Sequence, residues 1–356
     1  MANITHDNVK LSILIPCYNV SNYIDECLSS IIDQLTDECE VIIYDDGSKD
    51  DTVEKIKNHK LLSLDRVRFL SAQQNNGISY VRNYLLEQAC GHYIWFIDSD
   101  DKILDCAIIQ LLSYMDQYNP DIVFFDYNAW YPNITKSMIR KGFHRSSFIG
   151  KPGFYGNVCD GFLLNATLKS TRLHPWSKVY RRSLFKPGTD FPVGKVFEDV
   201  TVIPLLSAYA QTAYYLDKPL VAYRTRSGSI LSSLNFEKEI DSLAAIHEMK
   251  IRHEKYIGPM SKKSHLVTTY FATCQLRRII KVLAKHPNKE KRAALIACCL
   301  SEFEKIHGKD IFYVLYACWL EGDFTHSVHC LKRLMQAYFI CGFKKQKSLS
   351  AQGKAE

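Results

Sequence analysis

The stretch Tyr93-Ile94-Trp95-Phe96-Ile97, followed at once by Asp98-Ser99-Asp100-Asp101, restricts the fold of this chain more than any other. Consecutive apolar and aromatic residues after Gly91 are the pattern of a strand buried on both faces, as in parallel sheets covered by helices. The run ends in three carboxylates within four positions. The strand therefore delivers acid groups to its C-terminal edge, where open α/β sheets hold their ligands. Carboxylates so close together repel one another unless a cation or hydrogen-bond donors compensate them. An oxygen-rich cluster suits a hard divalent ion such as Mg²⁺ or Mn²⁺. Standing alone, the same residues read equally as a solvated acidic turn and helix cap.

The flanking segments alternate between strand and helix. Leu11–Ile15 is a short apolar run closed by Pro16, and Cys17-Tyr18-Asn19 forms its exit loop. Apolar positions Tyr23, Ile24, Cys27, Leu28, Ile31, Ile32 and Leu35 then recur at helical spacing, with Ser21 or Asn22 as the expected cap. Val41–Tyr44 is a second strand, parallel to the first, ending in Asp45-Asp46-Gly47-Ser48; Ser48 to Asp51 are the expected caps of a helix starting near Thr52. Val67–Leu70 is a third strand, Gln74–Gly77 a loop, and Ser79–Ala89 a helix carrying Arg82. After the acid cluster a helix is expected over Ile103–Tyr118 and a strand over Asp121–Asp126. This alternation predicts a mostly parallel, doubly wound sheet.

From about Trp130 the pattern dissolves into turn residues and aromatics as far as Asn157, and no element is assigned there. His174–Arg182 is an aromatic and basic stretch, and Lys195–Asp199 leads into an apolar helix, Val200–Tyr209. Ala213–Leu216 and Leu220–Tyr223 read as strands separated by Pro219. From Asn235 onwards the chain is expected to be helical, broken at Pro259 and Pro287.

With 356 residues there is enough chain for an α/β domain of more than about 200 residues and an appended unit. The net charge of +7 is uneven, Asp-rich in the first hundred residues and basic towards the end, which suits an anionic substrate or surface. Twelve cysteines without a Cys-x-x-Cys pair read as buried free thiols in a reducing compartment, not as a disulfide framework or zinc site. No apolar run is long enough to span a bilayer, and residues 1–10 lack a signal-peptide core. A cytoplasmic protein is expected, so the acceptor patterns at Asn133 and Asn165 carry no weight.

The order of the motifs carries more than any one of them. Ser12–Asn19, then Asp45–Thr52, then Asn76-Gly77 with Arg82-Asn83, then Asp98–Asp101, then Glu198-Asp199, together resemble the family 2 glycosyltransferases over roughly residues 9–230. The resemblance implies the GT-A fold: an α/β, Rossmann-like, mostly parallel central sheet flanked by helices, here with a C-terminal helical extension. It implies a catalytic domain at 1–230, with a nucleotide-sugar-binding half at 9–128 and an acceptor half at 129–230. A helical region would follow at 231–345 and a disordered tail at 346–356. It also implies a nucleotide-activated sugar, a divalent metal, Mn²⁺ or Mg²⁺, and inversion at the anomeric carbon. By the same resemblance Pro16, Tyr18 and Asn19 line the nucleotide pocket with Tyr18 on the base, Asp46 accepts the imino N–H of uracil, and Arg82 approaches the diphosphate. Asp100 is the direct metal ligand, Asp98 a ribose or metal partner beside Ser99, and Asp199 of the Glu198-Asp199 pair the general base. Trp176 and Lys178 shape the donor or acceptor pocket.

Chemistry asks for the same parts. Cleaving a sugar–diphosphate bond builds charge on the leaving oxygens, which a metal and Arg82 stabilise without proton transfer. The attacking hydroxyl must lose its proton to a base on the opposite face, hence from a different segment. The expected activity is an inverting, metal-dependent hexosyl transfer from a UDP-sugar to a growing glycan or lipid-linked saccharide, in lipopolysaccharide, capsule or exopolysaccharide synthesis. A sugar nucleotidyltransferase is the rival enzyme, but it needs a Gly-rich, basic phosphate loop where this chain has Pro16-Cys17-Tyr18-Asn19. An inactive nucleotide-sugar-binding protein is the rival without turnover. No nucleic-acid partner is expected. Basic positions at Arg277-Arg278, Lys289–Arg292 and Lys332-Arg333, beside Leu334, Tyr338, Phe339, Ile340 and Phe343, suit either an anionic inner-membrane surface or a solvated helix face.

Overall fold

All seven residues of β1 (Leu11–Cys17) and all seven of β2 (Cys39–Asp45) are buried, as are the four of β4 (Tyr93–Phe96). Strands covered on both faces must pair within the sheet, and these do so in parallel: β1 with β2 from Leu11↔Cys39 to Cys17↔Asp45, and β1 with β4 from Leu11↔Tyr93 to Leu14↔Phe96. The half-buried β3 (Val67–Ser71) joins parallel to the outer side of β2. The computed structural model describes residues 9–131, 143–158, 161–225 and 238–308, with single positions at 314, 319, 320, 328, 332 and 335. The Asn133 pattern, Arg333, the apolar positions from Leu334 to Phe343 and the tail 346–356 lie outside the described residues. The chain divides into two compact units, 1–233 with 248–264, and 234–247 with 265–356.

With β5 at Lys102–Ile103, β6 at Ile122–Trp130, β9 at Lys178–Arg181 and β10 at Ala213–Arg224, one sheet in the first unit runs β3-β2-β1-β4-β9-β6-β10-β5. Helices α1 (Ile24–Ile32), α2 (Thr52–Asn58), α3 (Ile78–Gln88) and α4 (Ala107–Tyr118) follow its strands in alternation. The parallel half therefore has the expected winding. α1 starts later than Ser21 because the Ser21 N–H donates to the Asp50 carboxylate at 3.0 Å, which ties the loop to the next turn instead of capping the helix. α4 starts at Ala107, not Ile103, because Lys102-Ile103 form β5, antiparallel to β10, and Cys106 at φ 61° turns the chain into the helix.

The far half is mixed. β6 (Ile122–Trp130) runs beyond Asp126, and β9 (Lys178–Arg181) lies antiparallel between β4 and β6. The unassigned segment holds two short strands, β7 (His144–Arg145) on β6 and β8 (Gly153–Tyr155) on β10. Helix α5 spans Phe162–Ser170 with Asn165 buried, and α6 spans Glu198–Tyr209. The two strands expected around Pro219 are one, β10 (Ala213–Arg224), parallel to β6, with register shifts on either side of that proline. Pro219 is absorbed as an irregularity because a missing N–H interrupts the ladder only locally.

The helices α7 (Asp241–Tyr256), α8 (Lys262–Leu283) and α9 (Lys289–His307) leave Pro259 and Pro287 in the connections between them. In the second unit, Phe271, Leu276, Ile279, Ile280 and Leu283 of α8 are buried. Asn288 caps α9 by accepting from Lys291 N–H at 2.8 Å, and Ile296, Cys299, Phe303 and Ile306 are its buried face. The eight described cysteines are free thiols.

Candidate active site

Beyond β4 the chain folds into a tight turn, closed by the Asp101 N–H donating to the Asp98 carbonyl at 3.0 Å. The turn brings one carboxylate oxygen from each of Asp98, Asp100 and Asp101 within 4.8 Å of one another. At that spacing two ionised carboxylates repel by about 3.5 kcal/mol in an effective dielectric of about 20. The electrostatics record the conflict. Burial pushes Asp98 up to about 6, Arg82 opposing the rise and Asp100 and Glu198 adding to it. Burial, Asp98 and Asp100 together hold Asp101 well above the usual carboxylate range. Asp101 is 1% exposed; its Oδ1 accepts the Arg224 N–H at 2.7 Å, while its Oδ2 has no hydrogen-bond partner. A buried, orphaned carboxylate oxygen beside two further carboxylates fits a hard divalent cation such as Mn²⁺ or Mg²⁺. Asp101 was not among the sequence candidates for a ligand, although its place in the cluster was the available signal.

The second acid group arrives from elsewhere in the chain. Phe197 stands at φ 63°, a left-handed conformation that costs a non-glycine residue roughly 1–3 kcal/mol, and the following Glu198-Asp199 open α6. Arg82 of α3 joins this pair to the acid turn: its Nη1 donates to Glu198 Oε1 at 2.5 Å and its Nη2 to Asp98 Oδ1 at 3.5 Å. The guanidinium is buried, 5.5 Å from the Phe191 ring and 6.0 Å from Phe96. Asp199 Oδ1 accepts from the Val200 N–H at 2.8 Å. Burial and the neighbouring Glu198 push Asp199 up to about 7, against the pull of Arg82 and Lys178. Glu198 of the pair is thus bonded to Arg82, while Asp199 titrates near neutrality.

Trp176 and Lys178, expected on a pocket wall, are packed in the core. Trp176 is 2% exposed, stacked at 4.9 Å on His174 and at 5.1 Å on Tyr223, with the edge of Tyr127 at 4.8 Å. Lys178 is fully buried, and its Nζ donates to the Arg172 and His174 carbonyls at 2.7 and 3.3 Å and to Ser177 Oγ at 2.9 Å. Burial lowers Lys178 to about 7. Each ammonium proton thus has an acceptor inside the 172–177 segment, and the Trp95 indole N–H holds the same segment through the Trp176 carbonyl at 3.0 Å.

On the parallel half the exit loops of β1 and β2 interlock. Asn19, at φ 50°, donates its N–H to Ser48 Oγ and accepts from the Lys49 N–H, both at 2.9 Å. The Asp45 carboxylate accepts from the Gly47 and Ser48 N–H groups and from the Ser48 hydroxyl. Asp46 is buried and accepts from the Asn76 N–H at 2.9 Å, the Gly77 N–H at 2.8 Å and the Asn76 side-chain amide at 3.3 Å. Three N–H donors of the loop that opens α3 thus converge on this carboxylate, and a uracil N–H would share it with them. A Cβ on Gly47, at φ +73°, would stand 2.8 Å from the Gln74 carbonyl carbon, so the two loops touch through a residue without a side chain. Pro16 is buried within β1 opposite Tyr44, and Ser99 is buried in the acid turn. Tyr18, at 44% exposure, keeps an open ring. The structure therefore gathers Asp98, Ser99, Asp100, Arg82, Glu198 and Asp199 together.

Comparison with known proteins agrees with this geometry. The glycosyltransferase GlyA of Streptococcus pneumoniae serotype 4 is 28% identical over 322 residues, which cover 81% of this chain and 44% of that protein. The chondroitin synthase of Escherichia coli is 39% identical over 112 residues, 32% of this chain and 16% of the synthase. The chain thus spans less than half the length of each of these relatives. Among solved structures, residues 1–349 of S. aureus TarS in complex with UDP-GlcNAc share the fold, with a TM-score of 0.54 and 19% identity over 89% of this chain and 93% of that one. Residues 12–186 match the description Glycosyl transferase family 2. With an acid turn at a parallel strand end, an acid pair opening a helix and a GT-A sheet that carries both, residues 12–186 form a family 2 glycosyltransferase domain, and the chain is similar to glycosyltransferases of that family.

Proposed function

We propose that this glycosyltransferase moves a hexose from a UDP-sugar to a hydroxyl of a growing glycan or lipid-linked saccharide of a bacterial surface, with inversion and with Mn²⁺ or Mg²⁺. The observation that carries this reading is Arg82, which bonds Glu198 and Asp98 at once and so makes one site of two acid groups remote in sequence. Asp98, Asp100 and Asp101 are the residues that would hold the cation, which when bound supplies charge stabilisation to the departing diphosphate. Asp199, raised to about 7, is ready to accept the proton of the acceptor hydroxyl near neutral pH. Arg82 holds Glu198 in place, and Tyr18 offers the open ring on which a uracil stacks. The donor class is further supported by TarS, a protein of the same fold that binds UDP-GlcNAc, and the glycan class by the chondroitin synthase relative.

In this reading residues 1–230 form the catalytic domain and 231–345 a helical region. The chain works at the inner face of the cytoplasmic membrane, with the basic positions Arg277-Arg278, Lys289–Arg292 and Lys332-Arg333 towards anionic headgroups. Among the described residues no helix is long and apolar enough to cross a membrane. Co-sedimentation with anionic liposomes, reduced by truncation before Leu320, is the expected result; equal binding by both forms contradicts peripheral association. The transfer itself is tested by UDP release from a panel of UDP-hexoses. Release with acceptor and Mn²⁺ or Mg²⁺, lost in EDTA and in Asp100→Ala, is expected; metal-independent release or an active Asp100→Ala contradicts the reading.

A further inference from the structure

Arg224, the last residue of β10, has a side chain 13% exposed and stands behind the acid turn. Its backbone N–H donates to Asp101 Oδ1 at 2.7 Å and its Nε to the Asp100 carbonyl at 2.8 Å. Its Nη2 meets Glu26 Oε2 of α1 at 2.5 Å. The guanidinium plane lies 3.7 Å over the Trp130 ring at the end of β6 and 5.1 Å from Tyr23. Lys102, just after the turn, meets the other Glu26 oxygen at 3.5 Å and covers Trp130 at 4.3 Å.

One side chain thus fastens the turn to three elements. The carbonyl of one acid residue and the carboxylate of the next are both fixed by Arg224, so the backbone cannot relax to separate the carboxylates. Its charge also opposes the mutual repulsion at Asp101. The contacts use the donors of a planar fork pointing in different directions and its flat face on an indole, a combination that the point charge of lysine does not reproduce. With Nε and Nη2 engaged and the face covered, the guanidinium is turned towards the protein frame and away from a ligand phosphate.

We propose that Arg224 is a positioning residue that assembles the cation site of Asp98, Asp100 and Asp101 before any cation or nucleotide arrives. The inference rests on the metal-site reading above. Residues that orient metal ligands commonly change metal affinity by roughly 10–100-fold when replaced. The test is Mn²⁺ binding to the full chain without nucleotide, followed by loss of the free-ion EPR signal, alongside UDP binding measured calorimetrically in EDTA. Arg224→Lys is expected to weaken Mn²⁺ binding by roughly tenfold or more despite keeping the charge, and Glu26→Gln to weaken it by less, with UDP affinity in EDTA within about twofold of the wild type for both. Thermal melts establish that each variant is folded; should Arg224→Lys not fold, Glu26→Gln decides alone, weakened Mn²⁺ binding supporting the proposal and unchanged binding overturning it. A folded Arg224→Lys with wild-type Mn²⁺ affinity overturns it. So does a variant that loses UDP affinity in EDTA as strongly as it loses Mn²⁺, which would make Arg224 a phosphate ligand. A wild-type chain that binds no Mn²⁺ overturns the metal-site reading itself, and this proposal with it.

Discussion

Arg82 Nη1 lies 2.5 Å from Glu198 Oε1, a buried ion pair that joins helix α3 to helix α6. Removing one partner of such a pair leaves the other charge buried and uncompensated, a change that typically costs about 3–5 kcal/mol. Arg82→Met is therefore expected to lower the unfolding free energy by about 3 kcal/mol in urea denaturation, and to abolish turnover. A loss under about 1 kcal/mol would show that the pair does not bind the two helices together.

The state of Asp199 sets two opposite pH dependences. Its folded value of about 7 lies above the ordinary aspartate value of 3.8, so between those limits the folded chain binds more protons than the unfolded one. Stability contributed by the protonated group is complete at low pH and is lost as pH rises through about 7. Activity runs the other way, since only the carboxylate accepts a proton, so kcat should rise through the same window. Asp199→Asn should flatten the stability slope; an unchanged slope would place the titration elsewhere.

Gly47 is the contact point of two loops. Gly47→Ala places a methyl group 2.8 Å from the Gln74 backbone at a φ of +73°. A loss of about 2 kcal/mol or more is expected in thermal or urea denaturation, with weaker UDP binding, because Asp46 and the Asn76-Gly77 loop must move apart. A variant as stable as the wild type would mean that the loops are not interlocked.

Tyr18 and Trp176 should separate binding from stability. Tyr18 is 44% exposed, so Tyr18→Ala should leave stability within about 0.5 kcal/mol while weakening UDP by about tenfold, as loss of one aromatic–base stack does. Trp176 is 2% exposed, so Trp176→Ala should cost about 3–5 kcal/mol. Calorimetric UDP titrations beside urea melts distinguish the two, and a large stability loss in Tyr18→Ala would contradict the open ring.

The parallel half of the sheet was legible because β1, β2 and β4 are buried on both faces and write that burial as unbroken apolar runs. β9 was hidden because its buried positions include Lys178, whose ammonium is satisfied by carbonyls that no sequence pattern announces. β10 was split by Pro219, which reads as a break although the ladder resumes beyond it. At the site the acid turn and the Glu198-Asp199 pair were visible as motifs. The link between them was not, since Arg82 and Glu198 are 116 positions apart and either alone reads as a surface charge. Asp46 shows the converse: the motif marked the residue, and only the fold shows its carboxylate turned to the Asn76 and Gly77 N–H groups.

The division of labour within the acid pair is tested most directly by Asp199→Asn, with UDP-sugar affinity and turnover measured on the same preparation in saturating Mn²⁺. The variant is expected to bind the UDP-sugar within about threefold of the wild type and to lose turnover by roughly 10²–10⁴-fold, the range supplied by a positioned general base. Turnover within about tenfold of the wild type would contradict Asp199 as the base and, with it, the proposed mechanism.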